Sequence, residues 1–164
     1  MSHALQPAIG LAIALLLVAC GGDDATSPSR TQTTPGEQLG REIGETYLTL
    51  LDDAEAMLAL DLPAEQLRPA LARLRDDYRV RFANLGCLRE TLDASERQAV
   101  ERAAAEYVAM SGPLEADWLR QATARYGSDP AIATLLAEVQ SLQVYAFFEQ
   151  LEASRPGETP VCGG

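Results

Sequence analysis

Apolar residues recur at steps of three and four along most of this chain, and this spacing decides its fold class. An α-helix advances 3.6 residues per turn, so the spacing places the apolar side chains on one face of a helix. No segment shows the two-residue alternation that is typical of a strand. The apolar positions are Leu39, Ile43, Tyr47, Leu50, Ala54 and Met57, then Leu67, Leu71, Leu74, Tyr78, Phe82 and Leu85, then Ala99, Ala103, Tyr107 and Met110, and finally Leu114, Trp118, Ala122 and Tyr126.

Capping residues indicate where the first and third predicted helices begin. Thr34 precedes Pro35, and Glu37 lies three residues after Thr34, which is a capping box with proline at the first helical position. Asp93 is followed three residues later by Glu96, so we expect a second reciprocal cap there.

Prolines and glycines indicate where the other helices are interrupted or begin. Pro69 lacks an N–H and would clash with the carbonyl four residues back, so we expect it to kink or break the second helix. The sequence Ser111-Gly112-Pro113 interrupts the third helix and predicts either one kinked helix or two short ones. Asp129 and Pro130 form the start of a last helix that we expect to run to about Ala153.

The predicted fold class is all-α, an antiparallel bundle of four helices, or of five if the third helix splits. The bundle would comprise residues 34–153, followed by a turn-rich C-terminal tail at residues 154–164. About 120 ordered residues suffice for one core and hardly for two domains.

An apolar segment near the N-terminus is too short to span a membrane. Residues 8–19 are nearly all apolar, yet a helix of that length rises only about 18 Å, against a hydrocarbon core of roughly 30 Å. Such a segment is typical of a cleaved secretory signal. Its end, Leu17-Val18-Ala19-Cys20, resembles the lipobox of bacterial lipoproteins. The resemblance covers about twenty residues and implies that residues 1–19 are removed and that the Cys20 thiol carries a lipid anchor.

The residues after Cys20 bear on the membrane to which the protein is sorted and on how the bundle is connected to its anchor. In lipoproteins of double-membraned bacteria, an Asp directly after the lipidated Cys retains the protein at the inner membrane. Gly21 occupies that position, so the resemblance implies the outer membrane, facing the periplasm. Residues 20–33 are rich in Gly, Ser, Thr and Asp without an apolar period, which predicts a flexible tether. The alternative, a buried apolar helix with an incidental Cys20, leaves this polar stretch without an explanation.

Charge and histidine content limit the function classes. The chain has 24 acidic and 13 basic residues, a net charge of -11, which disfavours nucleic acid and anionic lipid headgroups as partners. The single histidine, His3, lies in the predicted leader, so the mature chain has none for a Ser-His-Asp system or a His-containing metal site. Adjacent acids such as Asp52 and Asp53 point about 100° apart on a helix. We therefore predict no catalytic residues, no metal site and no cofactor.

Cys87 and Cys162 remain once Cys20 is acylated. An even pair in an oxidising compartment favours an intramolecular disulfide, which would fix the tail to the end of the second helix. Two free thiols or an intermolecular bridge are the alternatives.

Three arginines of the second helix, Arg68, Arg75 and Arg79, lie close together on a helical wheel beside the apolar stripe. They would form either a docking strip for an acidic partner or, as we favour, the edge of the core, with their guanidinium groups paired to carboxylates of the same bundle.

The last helix is apolar on all sides at residues 144–148. Either this helix is central in the bundle, which we favour, or Tyr145 or Phe148 is exposed to receive a partner. Trp118 likewise fills the core or anchors an interface, and the core is the simpler interpretation.

The sequence favours a non-enzymatic envelope lipoprotein whose bundle binds another protein. In anchor, size and helicity it is similar to secretion-system pilotins, a comparison at the level of fold alone. The alternatives are a structural or stress-related envelope component and a carrier of a small apolar ligand in the bundle. An apolar groove along the last helix would support the first hypothesis, and a closed core would count against it.

Overall fold

The computed structural model describes residues 33–163, without the side chains of residues 113–116, and these residues form a bundle of helices. The described part contains no strand, so the all-α prediction is confirmed. The predicted leader, Cys20 and tether residues 20–32 lie outside the described residues. The elements are α1 (Pro35–Ala59), α2 (Ala64–Glu90), α3 (Ala94–Tyr126), α4 (Pro130–Gln140), a 3₁₀ helix (Leu142–Ala146) and α5 (Phe148–Ser154).

Three helices begin where their capping residues predict. At α1 the Thr34 hydroxyl accepts the Glu37 N–H and the Glu37 carboxylate accepts the Thr34 N–H, which completes the capping box. Asp93 and Asp129 each accept two backbone N–H groups at the starts of α3 and α4. These bonds satisfy N–H groups that the first turn of a helix leaves without partners.

Glu96 does not form the reciprocal cap on Asp93 that its spacing predicts. Its Oε2 instead accepts the Gly36 N–H at 2.6 Å and the Thr34 hydroxyl at 2.8 Å. Helix α1 lies so close to α3 that its unpaired N–H groups are within reach of this carboxylate. Glu96 therefore links the starts of two helices instead of capping its own.

Glycines explain the close packing of α1 on α3, the most extensive helix pair of the described chain. Gly36, Gly40 and Gly44 lie on one face of α1 at steps of four. A Cβ at Gly36 or Gly40 would overlap the backbone carbonyl of Glu96 or Val100. Only glycine allows the two backbones to approach so closely.

The apolar stripes of all the helices meet in one core. Most of its large, fully buried side chains come from α1 and α2. Helix α4 and the 3₁₀ helix pack on α2, and α5 packs on the 3₁₀ helix. The largest fully buried side chains are Ile43, Tyr47, Leu50, Leu51, Leu67, Leu71, Tyr78, Phe82, Ile132, Leu142, Tyr145 and Leu151.

Two positions at which the sequence predicts an interruption lie inside continuous helices. Helix α2 continues through Pro69, so of the predicted kink or break the break is wrong. Proline removes one backbone hydrogen bond there, while Leu67 and Leu71 on either side are fully buried and hold the turn in place. Helix α3 runs through Ser111-Gly112-Pro113 as one helix of 33 residues, which settles the alternative left open by the sequence.

The last predicted helix, from Pro130 to about Ala153, is wrong as a single element. Helix α4 ends at Gln140, and the 3₁₀ helix follows. Phe147, with φ -126° and ψ 82°, then leaves the helical region before α5 begins.

The break buries a segment that is apolar on all sides. Tyr145, Ala146, Phe147 and Phe148 are each at most 9% exposed, although one straight helix would turn some of them towards solvent. Gly86 of α2 makes room for this segment, since a Cβ there would overlap the Phe148 ring. Tertiary packing thus overrides the local preference for a continuous helix.

Candidate functional site

A cleft runs beside α3 on the side that does not pack against α1. Two depressions of about 210 and 340 Å³ share Glu101 and together follow one face of α3. That face extends from Ala94 to Val108, a rise of about 21 Å. The opposite side of the cleft is formed by residues of the chain after α4. The side chain of Arg89, at the end of α2, also lines the cleft. The α3 side presents Ala94, Arg97, Gln98, Glu101, Ala104, Ala105 and Val108, and the opposite side presents Gln143, Phe147, Glu149 and Gln150.

Arg89 dominates the polar end of the cleft. It is 2% exposed, and its guanidinium donates to Glu90 at 2.7 Å and to Glu101 at 2.6 Å. The same group lies 5.8 Å from the centre of the Phe147 ring. Burying a charge is costly unless it is paired, and these two carboxylates provide the pairing. Its Nε has no acceptor among the described residues.

The other end of the cleft is apolar and small. Ala104 and Phe147 are buried, Val108 is partly buried, and Ala105 is exposed, so this part of the cleft is open to solvent. The Gln143 Oε1 is buried here and has no donor among the described residues. An apolar floor with an unpaired acceptor is an arrangement that an incoming polar group would complete.

The residues singled out at 144–148 do not face this cleft as the sequence suggested. Tyr145 is 2% exposed and Phe148 is 9% exposed, and both pack into the core. The idea that either side chain is exposed to a partner is therefore wrong. Their neighbour Phe147 lines the cleft instead, because the backbone turns between the 3₁₀ helix and α5.

The three arginines of α2 that the sequence singled out, Arg68, Arg75 and Arg79, each lie beside a carboxylate of the same bundle. Arg68 donates to Asp129 and Arg75 to Glu138, the latter at 2.7 Å. Arg79 lies 3.8 Å from the carboxylate of Glu158. These are the pairings that we favoured over a docking strip, and they lie outside the residues that line the cleft.

Hydrogen bonds in two of these pairs shift the pKa values of Arg68, Asp129 and Arg75. The bond to Asp129 raises the pKa of Arg68, and the bond to Glu138 raises that of Arg75. The bond from Arg68, followed by backbone donors of α4, lowers the pKa of Asp129. Each of these three pKa shifts favours the charged form of its group, which supports the ion pair between Arg68 and Asp129 and the charge of Arg75.

A separate depression, of about 540 Å³, lies between the end of α1 and the second half of α3. Trp118 lines it, yet this side chain is 3% exposed and belongs to the core, as the simpler interpretation held. Its Nε1 has no acceptor among the described residues. The rim carries an ion pair between Arg125 and Asp61.

Cys87 and Cys162 form the predicted intramolecular disulfide, with their Cα atoms 5.5 Å apart. The tail that it holds lies on the 3₁₀ helix. Arg155 donates to the Ser141 hydroxyl at 2.8 Å and to the Tyr145 hydroxyl at 3.1 Å, and Glu158 accepts from the latter. The disulfide therefore fixes a segment that supports one wall of the cleft.

Within residues 33–163 no cluster of His, Cys, Asp and Glu side chains could hold a metal ion. Among the same residues no helix is long and apolar enough to cross a membrane. No protein-family model matches the chain, and comparisons with curated proteins and with solved structures give no significant match.

Sequence reasoning missed the residues of the cleft. Arg89, Glu101, Gln143 and Phe147 come from four separate stretches of the chain, and none carries a motif. The only available signal was the excess of apolar residues at 144–148, which pointed to this region but to the wrong side chains.

Proposed function

We propose that this chain is a lipid-anchored envelope lipoprotein whose helical bundle binds another protein in the cleft beside α3. The cleft is the observation that carries the proposal. It is an apolar groove next to the segment that follows α4, with buried polar atoms that have no partners in the described chain. Recognition of an apolar helix face by a groove is a recurring mode of protein binding.

The dimensions of the cleft favour a protein over a small molecule. Small-molecule sites usually enclose about 300–1,000 Å³, and the apolar part of the cleft has only about 210 Å³. That volume accommodates one or two side chains. Exposed residues, among them Ala105 and Gln150, border it, so a ligand would remain open to solvent. The lining contains no nucleophile next to a base, which favours a role in binding rather than catalysis.

The anchor proposal rests on the lipobox-like sequence at residues 17–20. Several acyl chains, at about 0.8 kcal/mol per buried methylene, would hold the protein stably at the membrane. Residues 20–33, fully extended, span at most about 50 Å, so the bundle could reach partners well away from the bilayer.

Metabolic labelling tests the anchor. We expect an alkyne-tagged fatty acid to label the protein in a lipoprotein-processing bacterium and Cys20→Ser to abolish the label. A label that persists in Cys20→Ser would refute lipidation at this position.

Site-specific photocrosslinking in intact cells tests the binding role. A photoreactive phenylalanine analogue at Ala105 reports on the cleft, and the same residue at Ala133, exposed on α4 and outside the cleft, is the matched control. We expect a discrete crosslinked product from position 105 that position 133 does not give. Identical patterns from both positions would favour a structural role without a specific client.

A carrier of a small apolar ligand is the second candidate, favoured by the depression of about 540 Å³ that Trp118 lines. Its volume lies within the range of ligand sites. Because Trp118 is the only tryptophan of the chain, its fluorescence can report on this depression directly. Saturable quenching or enhancement by the apolar probe 1-N-phenylnaphthylamine, lost in Leu58→Arg, would support a carrier. An unchanged spectrum would remove it.

A further inference from the structure

The cleft contains more hydrogen-bond acceptors than donors that are free to meet them. The buried Gln143 Oε1 has no donor, and Glu149 has no ion pair among the described residues. Glu101 is bound to Arg89 through one oxygen, and its side chain is 46% exposed. Glu101 borders both depressions, Gln143 borders the one of about 210 Å³, and Glu149 borders the one of about 340 Å³. A ligand that extends along the cleft and brings donors would satisfy these acceptors.

The basic residues of the cleft are already engaged. Arg89 is bonded to Glu90 and Glu101, and Arg97 lies 3.2 Å from Glu90 and donates to the Leu92 carbonyl. The unpaired Arg89 Nε belongs to a guanidinium that is neutralised by two carboxylates. The uncompensated charge in the cleft is therefore negative, as is the net charge of -11 of the whole chain. Both attract a cationic partner over a distance.

The apolar part of the cleft fits a helix. Ala104 and Ala105 present small side chains that let a second backbone come close, and Val108 and Phe147 form an apolar end. The α3 face that borders the cleft continues for about 21 Å, the length of about four helical turns. Helices that dock in grooves place apolar residues at steps of three, four and seven.

We infer that the cleft binds a cationic amphipathic helix, whose apolar face packs on Ala104, Ala105, Val108 and Phe147. A Lys or Arg of this helix pairs with the Glu149 carboxylate in the larger depression, and a second donor meets the Gln143 Oε1 in the smaller one. The inference rests on the proposed function, to which it adds the chemistry of the partner.

Peptide binding to the full chain tests the inference. The chain is reconstituted in phosphatidylcholine nanodiscs, and empty nanodiscs serve as the blank. The probes are two labelled helical peptides of about 15 residues, with an identical Ala and Leu face and either Lys or Glu on the polar face. Fluorescence anisotropy gives the affinities. We expect the Lys peptide to bind at least about tenfold more tightly than the Glu peptide.

Charge reversal tests the location. Glu149→Lys should weaken binding of the Lys peptide by about tenfold, whereas Asp52→Lys, an equal charge change on the exposed face of α1, should have less than about a twofold effect. Both positions are exposed, so both variants should fold. Ala105→Arg should block the cleft, and Ala133→Arg should not. Equal affinities for the two peptides, or equal losses in the two Lys variants, would overturn the inference.

Photocrosslinking separates failure of the inference from failure of the proposed function. If the crosslink at Ala105 persists while the Lys peptide shows no preference, the cleft binds a protein of different chemistry, and only the inference fails. If the crosslink is absent as well, the binding role itself fails.

Discussion

At the scale of single residues, two carboxylates at helix starts accept backbone hydrogen bonds, and one of them also pairs with an arginine. Asp93 and Asp129 accept backbone N–H groups at the starts of α3 and α4, and Asp129 also accepts from Arg68. The charged form of a carboxylate is favoured by such donors and by the positive end of the helix. Accordingly, the pKa of each lies below its ordinary value of 3.8.

These two aspartates should contribute to loss of stability in acid. Because their pKa values are lower in the folded chain than in the unfolded chain, the unfolded chain takes up protons first as the pH falls below about 4. Their contribution is complete above that pH and is lost as the pH falls through the folded values. Urea unfolding at several pH values should show a shallower acid dependence for Asp129→Asn. An acid dependence of stability equal to that of the unsubstituted chain would show that folding does not lower the pKa of Asp129.

Tyr78 should make the stability of the fold depend on pH in the alkaline range. Burial, followed by the hydrogen bond to Asp53 at 2.6 Å, raises the pKa of Tyr78 from 10.0 to about 12. The folded chain keeps this proton while the unfolded chain loses it, so stability falls as the pH rises from 10 to 12.

The ring carbon resonance of labelled tyrosine checks the value directly. Among the five tyrosines we expect a late titration that Tyr78→Phe removes, together with a loss of about 0.5–1.5 kcal/mol of stability at neutral pH. Titration of Tyr78 near 10 would contradict the burial argument.

At the scale of elements, the helix starts were predictable and the last break was not. Thr34, Asp93 and Asp129 act through neighbours two or three residues away, so their local sequence contains the information. The turn at Phe147 depends on Gly86, which is far away in sequence and makes room on α2. Only the packed structure brings these two residues together.

The row of glycines on one face of α1 is a second feature of the helices that the apolar spacing of the sequence did not reveal. Apolar spacing identifies the residues that fill a core, whereas Gly40 acts through the side chain that it lacks. We expect Gly40→Ala to destabilise the fold by about 1–3 kcal/mol or more, because the new Cβ overlaps the Val100 carbonyl and forces α1 from α3.

Gly112→Ala is the matched control, since a Cβ at this helical position meets no atom within 4 Å. We expect a change of less than about 1 kcal/mol. Thermal and urea unfolding of both variants measure the difference. Equal effects of the two substitutions would mean that close helix packing is not the cause.

At the scale of the whole molecule, the cleft arises from an imbalance in packing. Helix α3 packs mainly on α1, whereas α4 and the 3₁₀ helix pack mainly on α2, and α5 packs on the 3₁₀ helix. The two groups meet over Arg89, whose guanidinium spans the space between Glu101 and Phe147. The fold class follows from apolar periodicity, but such a space depends on which helices fail to touch, and no local pattern in the sequence encodes that.

The disulfide should stabilise the wall of this cleft more than it stabilises the rest of the bundle. It joins residues 75 positions apart, and loop-closure entropy limits its contribution to about 4.5 kcal/mol. Its removal also frees the tail, in which Arg155 binds Ser141 and Tyr145 beside the cleft.

We expect Cys87→Ser/Cys162→Ser to remain folded but less stable, with faster amide hydrogen exchange at residues 141–163 and nearly unchanged exchange in the core turns of α1. The native monomer should weigh two hydrogens less than the reduced chain. Arg155→Ala, which keeps the disulfide but removes those side-chain bonds, is the control and should loosen the 3₁₀ helix to a smaller extent. Uniformly faster exchange in every helix of the double variant would show instead that the disulfide stabilises the whole bundle. The tail would then not stabilise the wall of the cleft in particular.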